Sequence, residues 1–211
     1  TDPFKTALKN IVEDVDSLSD NNCSEVQETT YDILGASDLS VLSGVHADYG
    51  NPTFLAGNVA RTQNDNTTTW YSYDIYGRVK WIVQKIPDLG AGAQNFKTID
   101  YKYHPITGAV FEVDYQRHET SDHFVHRYTY DPIDDSLIKV ETSLTGDSND
   151  FTTQADYNYY EIGALKQVKL APHSSTNTPL QTIDYVYNLN GQLKSINPGS
   201  DANDLFSMLI D

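Results

Sequence analysis

Cysteine occurs once, at Cys23. One cysteine excludes an internal disulfide and any cysteine-based zinc cluster. Basic residues are scarce: 14 Lys and Arg stand against 30 Asp and Glu, a net charge of −16 and a pI near 4.5. That sign repels phosphate backbones and excludes a nucleic-acid reader. It equally opposes an anionic membrane surface. No apolar run approaches the roughly 20 residues of a membrane-spanning helix, so no direct membrane insertion is expected. The residues after Thr1 hold neither a basic stretch nor an apolar h-region, so they carry no visible signal peptide. Hydrophobic content, at 38%, is low for a compact globule but above that of a disordered chain. The length of 211 residues suffices for one sizeable core or two small domains.

Tyrosine is abundant, with 15 residues against 7 Phe and 2 Trp. It favours strands and tolerates partial exposure through its polar tip. The tyrosines form a repeat. Tyr-x-Tyr occurs at Tyr71/Tyr73, Tyr101/Tyr103, Tyr128/Tyr130, Tyr157/Tyr159 and Tyr185/Tyr187. The second members are spaced by 30, 27, 29 and 28 residues. A glycine follows each pair at Gly77, Gly108, Gly163 and Gly191, and Asp135 takes that slot in the third copy. Asp is among the few residues that tolerate a left-handed backbone. Apolar residues recur two and five positions beyond the slot: Val79/Ile82, Val110/Val113, Leu137/Val140, Leu165/Val168 and Leu193/Ile196.

Each unit therefore reads as strand, short turn, strand. The two tyrosines share one strand face. The two apolar positions of the return strand have opposite parity, so either that strand is bulged or both faces are covered. The expected fold is mainly β: tandem β-hairpins of about 28 residues building an extended, curved antiparallel sheet, with one or two short N-terminal helices.

The organisation expected is an N-terminal helical or irregular segment over 1–40, a degenerate repeat and connector over 41–69, and five hairpin repeats over 70–211. Phe4, Leu8, Ile11, Val12, Val15 and Leu18 fall at helical spacing. A second short helix is expected from Ser24, with Gln27 completing a capping box, to about Gly35. Asp48-Tyr49-Gly50-Asn51 aligns with Ile75-Tyr76-Gly77-Arg78 and predicts a degenerate hairpin turn. Thr98-Ile99-Asp100 and Thr182-Ile183-Asp184 each precede a tyrosine pair, and the last residues are Leu209-Ile210-Asp211. The pattern predicts that the chain is part of a longer polypeptide, interrupted in mid-repeat.

Tyr71-Ser72-Tyr73-Asp74-Ile75-Tyr76-Gly77-Arg78-Val79 closely resembles the tyrosine-aspartate (YD) repeat of the Rhs family. Tyr128-Thr129-Tyr130-Asp131 has the same start, so Asp74 and Asp131 hold the eponymous aspartate. His104, Tyr160 and Asn188 occupy that position in the other copies. The resemblance covers about residues 45 to 211. It implies repeats that wind into a large hollow shell, which in bacterial polymorphic toxins encloses a C-terminal toxin domain. The Asn- and Thr-rich composition suits a bacterial protein that is secreted or held at the cell surface. The implied partners are the rest of the polypeptide and an enclosed cargo, with secretion machinery or other surface proteins beyond. The aspartyl self-cleavage segment found in many members has no counterpart in these residues, so no protease role carries over.

Three chemical alternatives arise from the residues. His118, His123 and His126, with Glu119 and Asp122 among them, offer metal-ligand side chains. No His-Glu-x-x-His pattern accompanies them, and the segment falls between two repeats as an exposed connector would. Asp131, Asp134, Asp135, Asp147 and Asp150 offer oxygen ligands to calcium, but turn formation explains them equally. Trp70 and Trp81, with exposed tyrosines, can stack on sugars. The reading is therefore non-catalytic and without cofactor: a portion of a shell wall that encloses or presents a cargo lying outside these residues. The alternative is a surface adhesion or carbohydrate-binding module using the tyrosine-rich sheet.

Overall fold

A computed structural model describes residues 26–90, 92–173, 176, 178–199 and 204–210. The expected helix over Phe4–Leu18, Cys23 and the Ser24 cap lie outside these residues. The chain is mainly β and divides into two compact units, Thr1–Lys97 and Thr98–Asp211.

The first unit contains β1 (Glu28–Tyr31), β2 (Val59–Gln63), β3 (Thr68–Tyr73) and β4 (Val79–Lys85), each antiparallel to the next. One helix, α1 (Ala36–Val45), lies between β1 and β2. The hydrophobic core is one face of this sheet, capped by the α1 segment. Leu34, Leu42 and Tyr49 pack on Ala60, Trp70, Trp81 and Val83, all buried. Tyr49 meets Trp81 edge-to-face at 5.3 Å. The Trp70 indole N–H donates to Asp38 Oδ1 at 2.9 Å, and Asp38 also pairs with Arg61 at 3.3 Å. These bonds supply the polar partners that a buried indole and a helix-borne carboxylate need.

The second unit contains β5 (Phe96–Tyr103, belonging to it from Thr98), β6 (Val110–Tyr115), β7 (Phe124–Tyr130), β8 (Leu137–Ser143), β9 (Thr152–Tyr159), β10 (Leu165–Leu170), β11 (Gln181–Tyr187), β12 (Leu193–Ile196) and β13 (Met208–Leu209). Within each unit strand order follows chain order, without a crossover. This is the topology that short connections between consecutive antiparallel strands produce.

Two sequence expectations are corrected. Glu28–Tyr31 is a strand, not part of a helix from Ser24 to Gly35. Its Thr29-Thr30-Tyr31 run favours β over helix, because two branched side chains and an aromatic ring pack well on a pleated surface. The segment aligned with a degenerate turn, Asp48 to Asn51, is not a hairpin tip. Ala47–Tyr49 is a single 3-10 turn, Tyr49 is buried, and Gly50 has φ −66° rather than the positive φ of Gly77.

An unrecognised first hairpin lies instead at β1–β2. Tyr31-Asp32 occupies the tyrosine-aspartate position, Gly57 (φ 77°) the glycine slot, and Val59 the apolar position opposite Tyr31. Asp32 Oδ1 accepts the Gly57 N–H at 2.6 Å, and the Asp32 N–H donates to the Asn58 carbonyl at 3.1 Å. Residues 33–56, including α1, are thus an insertion at the tip of this hairpin. The insertion is what covers the core face.

Candidate functional site

The site defined by the repeat residues is a framework of turns, bulges and tyrosine hydroxyls. At each hairpin tip the residue after the second tyrosine closes the turn. The Asp74 N–H donates to Arg78 O at 2.9 Å, and Asp74 Oδ1 accepts the Tyr76 and Arg78 N–H groups at 2.9 and 3.0 Å. Asp74 Oδ2 holds the Arg78 guanidinium at 2.6 Å. Burial alone would raise the Asp74 pKa. The Arg78 guanidinium and the two N–H donors outweigh it and hold the carboxyl below its ordinary value.

Asp131 and Asn188 act alike. Asp131 Oδ1 accepts from Ile133 N at 2.8 Å, and Asn188 Oδ1 accepts from Asn190 and Gln192 N at 3.0 Å. His104 Nδ1 accepts the Thr107 N–H at 3.2 Å. Tyr160 alone departs among the five: its hydroxyl donates to Tyr185 O at 3.0 Å. At the other four slots the side chain supplies a nearby acceptor, which explains why His and Asn serve where Asp is absent. The glycine slot has positive φ in every copy: 77° at Gly77, 76° at Gly108, 81° at Gly163, 77° at Gly191 and 58° at Asp135.

The parity question resolves as a bulge. In all five hairpins the register shifts at the second tyrosine, leaving Lys80, Phe111, Ile138, Lys166 and Lys194 as the extra residues. The shift places every apolar repeat residue directly opposite a tyrosine. Tyr73 faces Val79 and Tyr71 faces Ile82. Tyr103 faces Val110 and Tyr101 faces Val113. Tyr130 faces Leu137 and Tyr128 faces Val140. Tyr159 faces Leu165 and Tyr157 faces Val168. Tyr187 faces Leu193 and Tyr185 faces Ile196. A one-residue insertion reverses side-chain parity along the strand, so both apolar residues join the tyrosine face.

Three of these second-position tyrosines also tie one hairpin to the one before it. Tyr73 Oη donates to Val59 O, Tyr130 Oη to Val110 O, and Tyr159 Oη to Leu137 O, each at 2.8 Å. Each accepting residue lies opposite the tyrosine that ends the first strand of the preceding hairpin: Tyr31, Tyr103 and Tyr130. Burial raises the pKa of Tyr73, Tyr130 and Tyr159, with neighbouring tyrosines adding to the effect. Sequence spacing revealed the tyrosines but not these bonds, because the acceptors are main-chain carbonyls that no side chain marks.

On the opposite strand face, the second unit carries paired charges. Asp100 faces Asp114, and Glu112 faces Arg127. Buried Glu112 pairs with Lys102 and, at 3.3 Å, with Arg127. Arg127 also stacks on Phe151, 3.5 Å from the ring centre.

The three candidate metal histidines go to different partners. His118 Nε2 lies 3.0 Å from Arg117 Nη2, His123 Nε2 lies 2.7 Å from Asp114 Oδ1, and His126 stacks with Tyr128. Among the described residues, no three-ligand cluster joins them. Of the calcium candidates, Asp131 and Asp134 cap turn N–H groups, and Asp150 Oδ2 accepts from the Thr145 hydroxyl at 2.8 Å. Trp70 and Trp81 are buried in the core, which removes them as a sugar platform.

No family model and no curated protein matches the sequence. Among solved structures, the chain is similar to one in the crystal structure of TcdB2-TccC3-Cdc42, at 17% identity and a TM-score of 0.49. That match covers 68% of this chain and 7% of the other. A match to the crystal structure of TcdB2-TccC3 covers 87% of this chain and 12% of the other, at 14% identity and a TM-score of 0.28. A Tc holotoxin pore of Photorhabdus luminescens matches over 66% of this chain and 10% of its own, at 14% identity and a TM-score of 0.26. The chain thus spans about a tenth of the chains it resembles. Among the described residues no helix is long and apolar enough to cross a membrane.

Proposed function

We propose that this chain is a non-catalytic stretch of an Rhs-type shell wall, which encloses or presents a cargo encoded elsewhere in its polypeptide. The observation that supports this most is the tie between hairpins. A repeat that bonds its second tyrosine to the carbonyl of the preceding repeat builds a wall of any length by the same rule. Lone hairpins cannot bury a face, whereas a run of them shares one. The wall works by exclusion, keeping proteases and targets from the cargo. The remainder of the polypeptide is the main partner, and a secreted or bacterial-surface setting fits this role.

Limited proteolysis of the native full-length polypeptide tests it. Segments outside the wall repeats but enclosed by them should resist cleavage until denaturant opens the wall, and then be cut rapidly. Cleavage of every non-repeat segment at the same rate before and after denaturant would refute enclosure. Binding to immobilised glycans without any such protection would favour the adhesion alternative.

A further inference from the structure

Turn tips are ordinarily polar, yet each hairpin of the second unit ends in an exposed aliphatic side chain. These are Ile106, at 88% exposure, Ile133, at 93%, and likewise Ile162 and Leu189. Between the first two tips lies a groove of about 540 Å³, within the size range of sites that seat a ligand. Ile106, Phe111, Tyr128, Tyr130 and Pro132 supply its apolar lining. Phe111 is the bulged residue of its hairpin, so the bulge that aligns the tyrosine face also furnishes this groove with a ring.

The rim is acidic. Asp131 and Asp135 line the groove and Asp134 stands beside them, while the four turns 104–108, 131–135, 160–163 and 188–191 contain no Lys or Arg. The lining guanidinium, Arg127, is already held by Glu112 and Phe151.

We propose that this edge is a docking surface for a cationic amphipathic helix of a partner protein, with an apolar anchor in the groove and Lys or Arg against Asp131, Asp134 and Asp135. The occupant's sign follows from the rim and from the net charge of −16. Its form follows from spacing. Consecutive tips are two strands apart, about 10 Å. A helix returns to the same face after one heptad, about 10.5 Å. Three residues of an extended strand also span about 10 Å, but the third lands on the opposite face. An aliphatic knob further needs a hole between four side chains, which a helix surface offers and a polyproline segment does not. This surface is independent of enclosure, since a chain that enclosed nothing would still present it.

The test uses the 211-residue chain and a synthetic three-heptad peptide with Leu at two positions per heptad and Lys elsewhere. Binding is read by fluorescence anisotropy, and by amide chemical shifts of the protein. The expected shifts centre on residues 104–108 and 131–135. The double variant I106S/I133S leaves the net charge unchanged. It should weaken binding by about tenfold or more, the effect of removing an interface anchor. The substituted side chains are exposed, so the melting temperature should stay the same and separate lost binding from lost folding. Equal affinity for the double variant would overturn the proposal, because attraction would then be general electrostatics. Equal affinity for a peptide with Ser at the Leu positions, or tighter binding of a basic proline-rich peptide, would overturn it as well.

Discussion

At the scale of single residues, the hydroxyls of Tyr73, Tyr130 and Tyr159 are structural donors to main-chain carbonyls. Tyr130→Phe leaves the Val110 carbonyl without its hydroxyl donor, and Tyr159→Phe does the same at Leu137. Each should destabilise by about 1–2 kcal/mol, the cost of an unmade hydrogen bond in a half-buried setting, measured by urea unfolding. Burial raises these phenols, so the folded state keeps their protons to higher pH than the unfolded state. Their contribution is complete below the unfolded value of about 10 and declines as pH rises through the raised native values. Titration of tyrosinate absorbance should show a late-ionising subset, whose ionisation coincides with alkaline unfolding.

The Asp74 carboxylate has the opposite sign. Its native pKa is lowered, so its contribution is present above the ordinary carboxylate value of about 4 and is lost as pH falls through the native value. Asp74→Ala should cost about 1 kcal/mol at neutral pH, as loss of a comparable cap does. The penalty should shrink in acid. An undiminished penalty at low pH would contradict the assigned bonds.

At the scale of the hairpin, the turn slot separates backbone from packing. A Cβ at Gly163 would meet nothing within 4 Å, yet φ there is 81°. Gly163→Ala should therefore cost about 1 kcal/mol through backbone strain alone. Asp135→Gly, at φ 58°, should change stability by only about 0.5 kcal/mol or less, because Asp tolerates this backbone and Gly adds unfolded-state entropy. Both are measurable by thermal unfolding. The hairpins were legible in the sequence because tyrosine spacing and the glycine slot are local signals. The bulge was half legible: opposite parity at Val79 and Ile82 announced a choice that only the register could decide. The β1–β2 hairpin was hidden for a physical reason. Its tip is occupied by residues 33–56, so Tyr31-Asp32 and Gly57 stand too far apart for any short-turn pattern. The same insertion supplies the core, which helical periodicity did not reveal. Trp81→Ala should be the most damaging substitution in the first unit, costing about 3–5 kcal/mol, because it empties the contact with Tyr49.

At the scale of the whole molecule, the hairpins are built by repetition. The turn and the bulge recur in all five hairpins and the tyrosine tie at Tyr73, Tyr130 and Tyr159, and nothing in this pattern limits the number of hairpins. Among the described residues His118, His123 and His126 serve separate contacts. Trp70 and Trp81 are enclosed by the insertion. The docking proposed above lies at the hairpin tips, where Ile106 and Ile133 flank a groove lined by Asp131 and Asp135. The most direct measurement is electron cryomicroscopy of the native full-length polypeptide. The account predicts a hollow, closed particle with these hairpins as consecutive elements of its wall. A solid globule, or an open sheet with no enclosed volume, would contradict it.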